Sequence, residues 1–311
     1  MKVIKRTQLN KIATVFIAEN DKGRPVEFVE SVQPPHSFED KWVVIISTLY
    51  GCPVDCSFCD AGGNYAGKLT PEEMFFQIDH AISHKFPGGK VGTKKFKIQF
   101  SRMGEPSFNP AVLDVLNELT SRYKVPELIP SLSSIAPLGT DPFFDRLVRI
   151  KKEHFRNEFQ MQFSLHSTET WQRDRLIPVR KHDLSQIAAY GKEFYDPGGR
   201  KITLNFALTE DSIIDEKVLR RHFHPDIFLI KITPMNPTFK ASKNNLRSLL
   251  TQEKEDHPVI GRVKDAGYEV IVSIGEWEEN AIGSNCGQYV ETYLKECRKL
   301  ENGYAPVIEN L

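Results

Sequence analysis

Gly51-Cys52-Pro53-Val54-Asp55-Cys56-Ser57-Phe58-Cys59-Asp60 gathers three of the chain's five cysteines in the spacing C-x3-C-x2-C, directly after the apolar run Trp42-Val43-Val44-Ile45-Ile46. Three thiolates on one short loop do not complete a four-ligand structural zinc site. They can hold three irons of a [4Fe–4S] cube and leave the fourth iron open, whereas an electron-transfer cluster takes four cysteines. An open iron can chelate the amino and carboxylate groups of a small molecule such as S-adenosylmethionine. The competing readings are a zinc knuckle completed by a distant Cys or His, and three unrelated buried thiols. Phe58 would add apolar cover that limits solvent access to a cluster.

The rest of the composition is permissive. A chain of 311 residues and 35.5 kDa can bury a sizeable core, and α/β barrels of this length are commonly one domain. Lys plus Arg and Asp plus Glu are 41 each, so no global field draws in nucleic acid, although local basic stretches remain. No run of about 18 apolar residues is present, which predicts no membrane span. The N-terminus Met1-Lys2-Val3-Ile4-Lys5-Arg6 lacks a signal-peptide core. An odd cysteine count with three clustered speaks against a disulfide framework and predicts a reducing compartment, the cytoplasm.

Outward from the cysteine loop, residues 13–19 and 25–32 are apolar-rich runs around Asp21-Lys22-Gly23, a hairpin signal. Seven strand-like runs follow, at 42–48, 95–101, 128–134, 159–165, 201–207, 227–233 and 268–274. Helical patterns separate most of them. Thr70-Pro71-Glu72-Glu73 opens one with an N-cap, an N1 proline and acidic first-turn residues. Asn109-Pro110 and Asp141-Pro142 open two more, Asp183 to Tyr195 forms a fourth and Glu216 to His222 a short fifth. Strands alternating with helices predict an α/β fold with a parallel sheet and right-handed crossovers. The expected architecture is an incomplete (β/α)6 barrel over residues 41–285, preceded by a small β-hairpin extension over 1–40. A seventh strand and a C-terminal helix at about 287–300, within a tail of 286–311, would close or cap it.

A barrel places its chemistry after the strands, and the candidate residues fall there. After the second strand, Gly104 lets the backbone pass close to a ligand, and Glu105 would either accept hydrogen bonds from an ammonium group or remain a solvated turn carboxylate. Ser131 to Ser134 end the third strand with hydroxyls suited to a ribose or to a helix cap. Ser164-Leu165-His166 end the fourth, where a lone histidine is more often structural than catalytic. Asn236, between Pro234 and Pro237, would read an adenine edge or shape a turn.

The cysteine spacing with Phe58 resembles the radical S-adenosylmethionine superfamily. Gly104-Glu105-Pro106 followed by Asn109, Ser164-Leu165-His166, Arg173-Asp174 with Pro178, Pro234 with Asn236-Pro237, and Cys286-Gly287-Gln288 recur in an order similar to that of the RlmN/Cfr-type methylases, which modify adenosine in ribosomal RNA. The match spans about residues 41–290. The resemblance implies that Cys52, Cys56 and Cys59 hold a [4Fe–4S] cluster and that Gly104, Glu105, Ser131, Ser164, Leu165, His166 and Asn236 contact S-adenosylmethionine. It implies that Cys286 is methylated on sulfur, then loses a hydrogen atom to a 5′-deoxyadenosyl radical and passes a methylene to an adenine carbon. An RNA substrate (ribosomal or transfer), a reductant such as flavodoxin or ferredoxin, and a monomeric state go with it.

The chain departs from that family at one position. The family's second cysteine, which resolves the protein–RNA bond, lies seven residues before the first cluster cysteine, where this chain has Ile45. Cys297 lies eleven residues beyond Cys286, about 16 Å of rise on one helix. Two other readings therefore stand beside a methylase. One is hydrogen abstraction from a peptide or small molecule, with Cys286 as thiol donor or structural residue. The other is a non-catalytic, cluster-containing RNA-binding or regulatory protein, touching phosphates through stretches such as Lys90 to Lys97 or Lys240 to Arg247.

Overall fold

The computed structural model describes residues 1–9, 12–250, 257–275, 279–284 and 309–310. Strands β1 (Lys2–Leu9), β2 (Ala13–Glu19) and β3 (Pro25–Ser31) come first, then β4 (Lys41–Ile46) and the short pair β5 (Leu49–Tyr50) and β6 (Gly67–Lys68). Helix α1 (Pro71–Lys85), β7 (Lys95–Phe100), α2 (Ala111–Arg122), β8 (Glu127–Ser134), α3 (Asp141–Ile150), β9 (Gln160–Ser164), α4 (Thr170–Leu176), α5 (Leu184–Phe194), β10 (Ile202–Leu208), α6 (Glu216–His222) and β11 (Phe228–Pro234) follow. Helices α7 (Phe239–Lys243) and α8 (Pro258–Asp265), β12 (Val270–Val272), α9 (Glu279–Ile282) and β13 (Glu309–Asn310) complete the order.

All seven sequence-predicted strands form, and each pairs in parallel with its neighbours in the order β4-β7-β8-β9-β10-β11-β12. The structure departs from expectation at both edges. β12 adds to β11 and does not return to β4, so the sheet stays open and no barrel closes. At the other edge the expected hairpin forms as β2 and β3, β1 adds to it, and β4 pairs antiparallel with β3, in register Val29 to Ile45, so this extension is continuous with the main sheet. The edge of β4 that a closing strand would need is thereby already used. The predicted helix at 287–300 lies outside the described residues.

Local chemistry places the helices as read. Thr70 Oγ1 accepts from the Glu73 N–H at 3.2 Å, and the Glu73 carboxylate accepts from the Thr70 N–H at 2.9 Å, a complete capping box ahead of Pro71. Asp183 caps α5 and Asp215 caps α6 in the same manner. The strands alternate strictly. Trp42, Val44, Ile46, Phe96, Ile98, Phe100, Met161, Phe163, Leu204, Phe206, Ile230 and Ile232 turn to one face and join the helices in the main core. Lys97, Gln99, Ser131, Ser133, Gln160, Gln162, Thr203, Asn205 and Lys231 take the opposite, concave face. A parallel sheet covered on both sides by helices reads as continuous apolar runs; this one is polar inside because one face lines the hollow of the open barrel.

Candidate active site

The cysteine loop grows from the end of β4. Gly51 is at φ 72° and a Cβ there would sit 2.2 Å from the Asn64 carbonyl oxygen, so only glycine lets the two ends of the loop meet. Inside the loop, the Cys59 N–H donates to the Cys56 carbonyl, the Gly62 N–H to that of Cys59 and the Gly63 N–H to that of Cys52, each at 3.2 Å. Two distant elements clamp it. The Ser57 N–H donates to the Leu176 carbonyl at the end of α4 (3.0 Å). The Thr238 hydroxyl donates to the Phe58 carbonyl (2.7 Å), and the buried Asp60 carboxylate accepts from the N–H groups of Phe239 and Lys240 at 3.0 and 2.9 Å. Lys240 also ion-pairs with Asp55. None of these clamping bonds uses a cysteine side chain.

Cys52, Cys56 and Cys59 are unbridged and half-buried. Burial pushes the Cys52 thiol up to about 11, and burial with the neighbouring Cys52 pushes Cys56 up as well. The backbone N–H groups of Val54, Glu105 and Asp55 act against that at Cys52 by hydrogen-bonding its sulfur. A thiolate there needs a cationic partner, and bound metal supplies one by displacing the proton. Backbone N–H groups aimed at a sulfur are also how proteins tune iron–sulfur clusters. Among the described residues, no three His, Cys, Asp or Glu side chains sit close enough to share one ion. A cubic cluster takes one cysteine per iron, so its donors stand further apart than those of a single tetrahedral metal. The donor set fits that cluster.

The end of β7 meets this loop. Gly104 is at φ 92°, and a Cβ on it would lie 2.4 Å from the Cβ of Leu49. Gly104→Ala is accordingly expected to cost about 3 kcal/mol in backbone strain and overpacking, read as a melting midpoint lowered by roughly 5–10 °C. An alanine variant that melts with the wild type would show that this approach is looser than drawn. Glu105 is buried, and its charge reaches both Cys52 and Cys56. Its Oε1 accepts from the Ser107 N–H (3.1 Å), the Ser107 hydroxyl (2.7 Å) and the Ser134 hydroxyl (2.6 Å); its Oε2 accepts from the Ile135 N–H (3.0 Å). Burial raises the carboxyl above its ordinary range, opposed by these bonds. Glu105 is thus a tie between the ends of β7 and β8, with acceptor capacity left on Oε2.

The other predicted residues stand on neighbouring strand ends. His166, at φ 61°, is buried with its ring 4.8 Å from that of Phe58, edge to face. Its Nδ1 accepts from the Ala207 N–H at 3.1 Å, and burial, with the nearby Arg173 charge, pushes its pKa down to about 4. It is a neutral wall of the site. Leu165 sends its side chain into the main core, so only its backbone is available to a ligand. Ser164 is half-buried in register with Asn205, whose buried side-chain oxygen has no hydrogen-bond partner. Ser131 is buried and lies on the concave face three residues before the end of β8. Asn236 is half-buried in the turn before α7, its carbonyl accepting from the Thr238 N–H at 2.9 Å. Cys286 and Cys297 lie outside the described residues.

Several contributors escaped the sequence reading. Ser134, rather than Ser131, holds Glu105. Asn109 donates to the Thr48 and Leu69 carbonyls, both at 2.8 Å, joining the two ends of the cysteine-loop excursion. Arg102 is buried; it ion-pairs with the buried Glu27 of β3 and donates to the Gly283 carbonyl and, at 3.1 Å, to that of Ser284. Ser284 is two residues before Cys286. Ile45, on the concave face of β4, packs into an apolar cluster with Val29 and Ile282. Asp60 was legible only as the residue after the third cysteine; nothing local announces a bond 179 residues away.

No family model matches the chain. Among curated proteins, the chain is 26% identical over 242 residues to the "Probable dual-specificity RNA methyltransferase RlmN" of Thermotoga maritima, covering 76% of this chain and 66% of that protein. It is 29% identical over 240 residues to the protein of the same name in Thermosynechococcus vestitus, covering 73% and 66%. The chain thus spans 66% of the length of both relatives. Among solved structures, a radical SAM methyltransferase from Sphaerobacter thermophilus superposes with a TM-score of 0.70 at 22% identity, over 92% of this chain and 80% of that one. That likeness establishes the fold.

Proposed function

We propose that this chain, an RlmN/Cfr-like member of the radical S-adenosylmethionine superfamily, holds a [4Fe–4S] cluster on Cys52, Cys56 and Cys59 and acts as a radical methyltransferase-type enzyme on RNA adenosine. The observation that carries this is convergence. The cysteine loop, the Gly104-Glu105 strand end and the segment leading to Cys286 are brought to one end of one sheet. When bound, the cluster and S-adenosylmethionine supply one-electron reductive cleavage and with it the power to abstract hydrogen. The chain's own residues then have distinct tasks. Glu105 offers Oε2 to an ammonium group. Phe58 and His166 exclude water on one side. Arg102, neutralised by Glu27, holds Gly283 and Ser284 beside the β7 end, and Cys286 follows two residues later in the chain. At the same end of the sheet, Trp171 on α4 is 57% exposed beside Arg175, and Tyr65 of the cysteine loop is 45% exposed; aromatic faces of this kind stack bases. A reductant such as flavodoxin or ferredoxin would serve the cluster. Among the described residues no helix is long and apolar enough to cross a membrane.

One observation favours a narrower chemistry. Ile45 occupies the position of the family's resolving thiol and packs near Ile282, four residues before Cys286. The position is close to the right segment, but its side chain cannot attack sulfur. The wild-type protein is therefore expected to cleave S-adenosylmethionine without repeated dithiol-type methylation of adenosine. The test is anaerobic incubation with protein-free ribosomal RNA fragments, reductant and cofactor. 5′-Deoxyadenosine, methyl-Cys286 and C-methyladenosine are then measured by mass spectrometry in wild type and Ile45→Cys. Expected are 5′-deoxyadenosine from both and multiple equivalents of C-methyladenosine only from Ile45→Cys. Several equivalents of C-methyladenosine from wild type without added thiol would overturn the narrower chemistry. Absence of 5′-deoxyadenosine from cluster-loaded protein would overturn the enzyme.

A further inference from the structure

The mouth of the open barrel opposite the cysteine loop has a charge pattern that the reaction does not use. A cavity of about 350 Å3 opens there, lined by the first residues of four parallel strands, Lys41, Lys95, Glu127 and Gln160, with Lys97 and Arg200. The carboxylates at this mouth are each paired with a cation of the same mouth. Glu127 pairs with Lys95 at 3.2 Å, Asp40 with Lys94 at 2.8 Å, and Glu158 with Arg200 at 3.3 Å. Lys41, Lys97 and Lys231 have no carboxylate partner among the described residues.

Lys97 is 7% exposed, and Lys41 and Lys231 are half-buried. Lys97 stands on β7 and Lys231 on β11, four strands apart in the sheet. The charges of Lys231, Lys41 and Arg200 nonetheless reach Lys97, and burial first, then these charges, lower its pKa well below its ordinary value. Burial likewise lowers Lys231 and Lys41. Buried ammonium groups are normally paired, because desolvation of a lone charge is not otherwise offset. Here several converge on one cavity, and the Arg200 fork keeps donors beyond those facing Glu158. Lys97 belongs to the basic stretch from Lys90 to Lys97, and strand alternation turns both Lys95 and Lys97 toward this cavity.

We propose that this cavity is a binding site for a small phosphorylated molecule or free phosphate, with Lys97, Lys41 and Arg200 as its cationic ligands and Lys231 behind them. The site is large enough for an organic phosphate monoester and lies at the far end of the strands from the cluster cysteines. The experiment uses extensively dialysed, anaerobic, cluster-loaded protein at constant ionic strength. It titrates inorganic phosphate and, separately, ribose 5-phosphate by calorimetry, and follows melting with chloride as the control anion. Saturable one-to-one binding is expected, with a melting midpoint raised by about 5 °C at a hundredfold excess over the dissociation constant. Tighter binding of ribose 5-phosphate assigns the site to a phosphate monoester, and equal binding assigns it to free phosphate. Lys97→Met is expected to weaken either ligand at least tenfold, to leave iron content unchanged, and to melt above the phosphate-free wild type, since the unpaired charge is gone. Should that variant not fold, Lys41→Gln at the rim is expected to weaken binding tenfold. No saturable binding beyond chloride, or affinity unchanged in the variant that folds, overturns the proposal.

Discussion

Cys56→Ala is expected to reduce the iron and sulfide of anaerobically reconstituted protein to background and to remove 5′-deoxyadenosine formation with them. Three cysteines for three irons leave no redundancy. Among the described residues, the carboxylates near the loop are held by other partners. Glu105 already accepts four hydrogen bonds from protein donors, Asp55 pairs with Lys240, and Asp60 holds the start of α7. The fold should survive the change. The loop is clamped by Ser57, the Phe58 carbonyl and Asp60 rather than by sulfur, and the Cys56 backbone keeps its bond from Cys59. A circular dichroism spectrum like that of the wild type, with the absorbance of the cluster lost, is the combination to look for. Cys52→Ala and Cys59→Ala should behave alike. Stoichiometric zinc and no iron in wild-type protein would return the loop to the zinc-knuckle reading.

Glu105→Gln should separate two tasks of one side chain. The amide keeps the shape but turns an N–H2 group toward one of the four donors that now converge on the carboxylate. A buried donor left unsatisfied costs about 1–3 kcal/mol, so the melting midpoint should fall by roughly 2–10 °C. An ammonium bound to Oε2 would lose a charge-assisted bond as well, lowering S-adenosylmethionine affinity about ten- to a hundredfold at unchanged iron content. If stability falls and calorimetric affinity does not, Glu105 is only the tie between β7 and β8, and the ammonium acceptor lies elsewhere.

Most of the strands and helix starts were legible because their causes are local. The Thr70 N-cap with Pro71, the start at Asp183 and the two-residue alternation of β7 and β10 need only neighbours in sequence. Their observed bounds differ from the expected ones by a residue or two. The short helices α4, α7 and α8 were not, although α6, of similar length, was; a helix of five to eight residues carries few turns for its periodicity to show. Among the site residues, Gly104 and Glu105 were found with the right neighbours. The bond from Ser134 to Glu105 was not foreseen, because the four positions from Ser131 to Ser134, three of them serines, look alike until a partner selects one.

The sequence by itself therefore determined a parallel α/β sheet with candidate residues at its strand ends and a three-thiol loop after the first parallel strand, each from residue type and spacing. That Ile45 stands where a reactive thiol would be is what the family resemblance implies. Only the tertiary structure decided that β3 takes the free edge of β4 and keeps the sheet open. It likewise decided that Arg102 reaches the Ser284 carbonyl 182 residues away, and that Lys97 is buried in a cavity lined by Lys41 and Arg200. The physical reason is the same in each case. Alternation divides a strand into two faces, but which face meets a distant partner, and whether a charge there is solvated or buried, depends on how the sheet curls.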